Sequence, residues 1–370
     1  MVQDAMIRFE QVTKRFPDGT SAVDALDLEI ADGETVVLVG PSGCGKTTTL
    51  RLINRLEEAS AGRVLVNGQD ISRIDPTHLR RGIGYVIQHA GLFPHRRIDG
   101  NVATVPRLLG WARDRIAPRV DDMLQTVGLD QAVAARYPHQ LSGGQQQRVG
   151  VARALAGEPP VLLMDEPFAA VDPIVRARLQ QEFLDLKKRV HKTIVFVTHD
   201  VDEAIKLGDR IAILKEGGQL AQYGRPVDVL ARPANAFVAD FVGRERTLKR
   251  LALMTADSLD VTPGNPVAPS AEADKVGAAA AEAGQPWVPV VGADRRFQGW
   301  CDSRRLVNGH TAGQVADGIE LATVGPGDTL RTALDAALAA ESRSVVRVDA
   351  AGSYLGVITL DRIAEAGLWS

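Results

Sequence analysis

Apolar and polar positions along the first hundred residues predict strands before they predict helices. Met6–Val12 reads as an alternating strand, and Thr13-Lys14-Arg15-Phe16-Pro17-Asp18-Gly19 as the turn after it. Ala25–Ile30 is a second strand, leading through Asp32-Gly33 into the apolar, β-rich run Thr35-Val36-Val37-Leu38-Val39. The period then becomes helical over Thr48–Leu56. Gly62–Gly68 gives two short β runs closed by an Asn-Gly turn, and Gly82–Gln88 a strand ending in an amide. Residues 106–157 are mostly helical in pattern, with Pro118 at a helix start and Gly128 as a stop. Two further apolar strands, Val161–Met164 and Thr193–Val197, flank a helical stretch from Pro173 to Val190.

Composition narrows the function classes. A chain of 370 residues has room for two or three domains. The net charge of -3 gives no global basic footprint, so nucleic acid is not an expected partner. The two cysteines are Cys44 and Cys301; a structural disulfide between them is not expected, and a reducing cytosol fits. Met1-Val2-Gln3-Asp4-Ala5 does not read as a signal peptide. No apolar run approaches the roughly 20 residues that span a bilayer, so any membrane work requires other chains.

The strongest chemical signal is Gly40-Pro41-Ser42-Gly43-Cys44-Gly45-Lys46-Thr47, set between a strand and a helix. Glycines let backbone N–H groups curl around an anion, Lys46 offers a charge to β- and γ-phosphates, and the Thr47 hydroxyl can ligate Mg²⁺. The following helix adds its N-terminal dipole. Leu141-Ser142-Gly143-Gly144-Gln145 opens another helix: Ser142 is a good N-cap, and the amides of Gly143 and Gly144 are free to face an anion. Val161–Met164 ends in two carboxylates. Asp165 suits a Mg²⁺ shell, and Glu166 suits polarising water for attack on a γ-phosphate. His199 follows a strand at the end where ligands of open α/β sheets gather. Phe16 suits an adenine-stacking face or ordinary packing equally, and Gln88 suits a plain polar strand end.

Together these residues resemble the nucleotide-binding subunit of an ABC transporter over about residues 6–243. The resemblance rests on the phosphate loop Gly40–Thr47, Gln88, the signature Leu141–Gln145, Asp165-Glu166 and His199. Asp172, within Ala169-Ala170-Val171-Asp172, matches a further loop aspartate of that family. It implies an α/β P-loop NTPase of the ABC type in residues 1–243, with a RecA-like core, an antiparallel β subdomain and a helical subdomain. It implies that Phe16, the loop through Thr48, Ser142, Gly143, Gly144, Gln145 and Asp172 bind ATP. Thr47, Gln88 and Asp165 would hold Mg²⁺, while Glu166, His199 and Gln88 carry catalysis. Two copies would close around two ATP molecules, the signature of each covering the γ-phosphate on the other.

Beyond Gly243 the composition changes. A repeat of about 57 residues relates Val288-Pro289-Val290-Val291 and Gly299-Trp300 to Val345-Val346-Arg347-Val348 and Gly356-Val357. Helical patterns, Lys275–Ala283 and Leu330–Ala340, precede each strand pair. These copies, 244–310 and 311–370, resemble an α+β tandem of CBS domains, which implies a regulatory nucleotide, ionic sensing or dimer stabilisation. The first copy departs from the pattern at Cys301-Asp302, and the second places Asp361 one residue early after Thr359. An ABC subunit with such a tail resembles ATPases of quaternary-amine uptake for glycine betaine, carnitine or choline. Asn54-Arg55-Leu56 and Gln88–His95 are similar to that group as well. The expected setting is the cytoplasmic face of the membrane, with permease subunits and a substrate-binding protein. An importer for another small solute and a soluble ABC ATPase are the alternatives.

Overall fold

The computed structural model describes residues 5–88, 91–169, 172–307, 309–316 and 322–368. They form two compact units, Met1–Val242 and Gly243–Ser370. In the first unit an antiparallel sheet orders β1 (Ala5–Arg15), β2 (Ser21–Ala31), β4 (Ala61–Val66) and β5 (Gln69–Asp70) as β2-β1-β4-β5. Asn67 and Gly68, both at positive φ, make the tight turn between β4 and β5 that the Asn-Gly pair anticipates.

The second sheet contains β3 (Thr35–Val39), β6 (Ile83–Val86), β7 (Val161–Asp165), β8 (Thr193–Thr198), β9 (Arg210–Lys215) and β10 (Gln219–Gly224). Its order is β10-β9-β3-β8-β7-β6, and all pairings are parallel except that of β10. The central strands read as unbroken apolar runs because both faces are covered. Val37, Val39, Leu162, Met164, Ile194 and Phe196 enter one core cluster, with residues of the helices Arg113–Thr126, Gly143–Ala156 and Pro173–Arg189. Their neighbours Val36, Leu38, Val161, Leu163, Val195 and Val197 enter another, with the helix Lys46–Ile53 and the antiparallel sheet. Side chains alternate along a strand, so one stretch of sequence feeds two cores.

The stretch between β6 and β7 is broken up more than its pattern predicts. Short helices, Ile98–Val102 and Thr104–Leu108, precede Arg113–Thr126. Pro118 lies inside that last helix rather than at its start. Pro118 and Asp114 are both exposed, so the Asp114 carbonyl that a proline cannot serve is open to water.

The second unit repeats its element order. Its strands are β11 (Trp287–Val291), β12 (Phe297–Asp302), β13 (Thr323–Val324), β14 (Ser344–Val348) and β15 (Tyr354–Thr359). β11 pairs antiparallel with β12, and β14 with β15. Helices Ala273–Ala283 and Leu330–Ala339 precede these pairs. Arg347 sits in apolar β14, and its guanidinium leaves the strand to bond Asp257 at 2.7 Å and the Leu259 carbonyl at 3.1 Å.

Asn101 shows how an irregular loop is held. It is fully buried; its Oδ1 accepts from Phe93 N at 2.7 Å, and its Nδ2 donates to the carbonyls of Phe93, Arg96 and Arg97 at 3.0–3.1 Å. Asn101→Ala leaves those groups unpaired and is expected to cost about 2–3 kcal/mol. Urea denaturation of the full chain reads this as a lower midpoint, and an unchanged midpoint refutes the clamp.

Candidate active site

The loop after β3 is shaped by two close approaches. A Cβ added to Gly45 would lie 1.9 Å from the carbonyl oxygen of Ala22, and one added to Gly40 2.2 Å from that of Leu214. No side chain fits either place. Gly43, exposed with nothing around its missing Cβ, fronts open space beside exposed Ser42 and half-exposed Pro41. Lys46 is buried, and its Nζ donates to the carbonyls of Gly40 and Pro41 at 2.9 and 2.8 Å. The ammonium is therefore held at the centre of its own loop. Burial pushes the Cys44 thiol up, with the Lys46 charge opposing that shift.

Parallel pairing brings the ends of β3, β8, β7 and β6 to one edge. Thr47 is in the first turn of the helix Lys46–Ile53, and its Oγ1 donates to Asp165 Oδ1 at 3.0 Å. The Tyr85 hydroxyl, from β6, lies 3.5 Å from Asp165 Oδ2. Burial pushes the Asp165 carboxyl above its ordinary range, against the Thr47 bond and the nearby Arg51 charge. A hydroxyl beside a desolvated carboxylate is an all-oxygen donor pair that suits a hard divalent cation, which would supply the missing positive charge.

Glu166 is the next residue, and its backbone is left-handed, with φ 44°. A non-glycine held there stores strain of about 1–3 kcal/mol, a mark of functional sites. The turn is fixed by Glu166 N bonding the Val197 carbonyl and Ala169 N bonding the Glu166 carbonyl, at 3.0 and 3.2 Å. It directs Glu166 Oε1 to within 3.3 Å of His199 Nδ1, just past β8. In the helix Val201–Leu207 that follows, buried Glu203 accepts from Gln180 Nε2 at 3.0 Å, and burial pushes its carboxyl up.

The fold does not bring every expected residue to this cluster. Gln88 is exposed just beyond β6, and its side chain makes no hydrogen bond among the described residues. Ser142 caps the helix Gly143–Ala156 in a reciprocal box, its Oγ accepting from Gln145 N at 3.3 Å while Gln145 Oε1 accepts from Ser142 N at 3.0 Å. Ser142 and Gly143 are exposed, and neither they nor Gly144 and Gln145 bond the loop Gly40–Thr47 among the described residues. Asp172 caps the helix Pro173–Arg189, accepting from Ile174 N and Val175 N. Ala170 and Val171, and His89 and Ala90, lie outside the described residues. Thr48 is half-buried in the loop helix. Phe16 is half-exposed in the turn between β1 and β2, with Lys14 Nζ 5.0 Å from its ring centre. Sequence reading missed Tyr85 and Arg51. Both lie in ordinary strand or helix pattern, and only the pairing of β6 with β7 and the turn of the loop helix bring them to Asp165.

The family profile described as ABC transporter matches residues 23–169. The glycine betaine/carnitine/choline transport ATP-binding protein of Bacillus subtilis is 54% identical over 244 residues, 66% of this chain and 64% of that protein. The match thus spans somewhat under two thirds of that relative. The osmoprotectant import ATP-binding protein OsmV of Salmonella typhimurium is 52% identical over 266 residues, 70% of this chain and 69% of its own. Among solved structures, a dimeric ATP-binding cassette in a post-hydrolysis state with ADP and Pi is 34% identical, with a TM-score of 0.54, covering 60% of this chain and 98% of that one.

The raised Asp165 pKa has a testable sign. Its ionisation opposes folding; that cost is absent below the unfolded value, grows as pH rises past it and is complete above the folded one. Asp165→Asn keeps an acceptor for Thr47 and removes the charge. Without nucleotide or metal, it should raise the melting temperature at neutral pH, by about 2–4 °C for each 1 kcal/mol relieved. The gain should shrink as pH falls. A variant no more stable than the parent at neutral pH contradicts this electrostatic account.

Proposed function

This chain belongs to the ABC transporter family, and we propose that within it the chain is the ATP-hydrolysing subunit of an importer for a quaternary-amine osmoprotectant. Glycine betaine, carnitine and choline are the solutes we propose, after the names of its relatives. The observation that carries the hydrolytic reading is the Glu166 carboxylate, borne on a strained left-handed backbone, 3.3 Å from His199 and adjacent to Asp165 at the edge where the phosphate loop opens. In this reading the loop amides and Lys46 hold the phosphates of ATP, and Phe16 stacks on adenine. Thr47 and Asp165, with Gln88, would hold Mg²⁺, which when bound neutralises charge on the transferring phosphoryl group. Glu166 orients a water and takes its proton, and His199 keeps that carboxylate in place.

The exposed N-terminus capped by Ser142 supports a two-copy arrangement. Its free amides make no bond to the loop of their own chain among the described residues, so a second copy would offer them to the γ-phosphate. No helix among the described residues is long and apolar enough to cross a membrane. We therefore assign the spanning to permease chains, solute capture to a binding protein, and this subunit to the cytoplasmic face. In the tail, 244–310 and 311–370 are proposed as CBS-like repeats. A cleft of about 670 Å³, with Thr262, Glu282, Arg343, Thr359 and Asp361 in its wall, is of a size to take a regulatory nucleotide.

Glu166→Gln should lower ATP turnover by about 10²–10⁴-fold while ATP still binds, and it should trap a closed dimer seen by size-exclusion chromatography. Normal turnover in that variant sinks the role given to Glu166. Labelled glycine betaine uptake, with and without osmotic upshift, should depend on this subunit; uptake indifferent to it sends the search to other solutes. Deleting 247–370 should leave basal ATPase but alter its dependence on salt or nucleotide. Unchanged regulation would reduce the tail to scaffolding.

A further inference from the structure

A second cavity in the unit Met1–Val242 has no part in the chemistry above. It holds about 140 Å³, and its walls come from the helices Gly143–Ala156 and Pro173–Arg189, residues 126–128 at the end of the helix Arg113–Thr126, and Met164 of β7. Met164, Phe168, Leu179 and Phe183 are buried and make most of its surface apolar. A cavity of about this size lined by apolar side chains accepts a benzene-sized molecule.

Its polar part is specific. Gln147 is 6% exposed and lines the cavity, and its Nε2 has no hydrogen-bond partner among the described residues. A buried amide donor left unmet is costly, and native proteins rarely keep one without a reason. The charged groups of the wall balance. Arg148 Nε lies 3.1 Å from Glu182 Oε2, an ion pair whose two atoms make no hydrogen bond, and Arg189 and Asp185 add one charge of each sign to the wall, so the lining carries no net charge.

We propose that this cavity binds a compact, neutral, single-ring molecule that presents one hydrogen-bond acceptor to Gln147 Nε2. An occupant would lie between the helices capped by Ser142 and Asp172 and touch both. This goes beyond the transport function, and the test involves no ATP.

Full-length protein labelled at the methionine methyls is titrated with benzonitrile, which offers an acceptor, and with toluene, which does not. The Met164 methyl resonance should shift saturably with both, and benzonitrile should bind about 10-fold tighter, the worth of one buried hydrogen bond. Gln147→Leu should bring that ratio to about one while toluene still binds. Val151→Leu and Leu179→Phe, which fill the space from opposite walls, should each weaken both probes. No saturable shift of Met164 up to the solubility limit overturns the proposal and leaves the space to ordered water. Equal affinity for the two probes in the parent protein overturns the role of Gln147.

Discussion

The bond from Thr47 Oγ1 to Asp165 Oδ1, 3.0 Å long, is the constraint on which the rest of this unit depends. It joins the loop after β3 to the end of β7, two strands that do not touch because β8 runs between them. The two ends meet only if the registers on both sides of β8 agree. Val39 pairs with Thr198, and Asp165 with Val197, so the strands finish level. A slip of one residue would turn every side chain of a strand to the other face. Here both faces feed a core, and the slip would exchange the two sets of apolar partners.

Burial gives the same bond its chemical meaning. The apolar strands that fix the register also exclude water from Asp165, raising its carboxyl and making the site favour positive charge. Glu166, one residue on, is turned out of the sheet by a strained backbone and is less enclosed. Two adjacent carboxylates therefore occupy different environments, one suited to holding a cation and the other to moving a proton.

Much of this was legible in the sequence because it depends on local requirements. Gly40 and Gly45 stand where a Cβ would strike a carbonyl, and Ser142 with Gln145 forms the cap that its spacing announces. Strands buried on both faces could be read as unbroken apolar runs. What escaped depends on contacts between distant segments. Tyr85 and Arg51 look ordinary until the pairing of β6 with β7 sets them beside Asp165. Pro118 signals a helix start, yet exposure lets the helix Arg113–Thr126 run through it. Asp302, a departure from the repeat's pattern, is also a buried carboxylate held by Arg304 through two bonds of 2.9 Å, which keep it below the usual range.

The carbonyl of Ala22 lies against two glycines. A Cβ on Gly45 would come within 1.9 Å of it, and one on Gly218 within 2.3 Å. The backbone of β2 is thus keyed into both the phosphate loop and the turn before β10, with no side chain to yield at either contact. Mechanically this is a gauge block. β2 cannot slide along the phosphate loop without prising the contact apart, so their spacing at Ala22 is set by backbone thickness. A spacing held by main-chain atoms survives any change of side chain except at the glycines themselves.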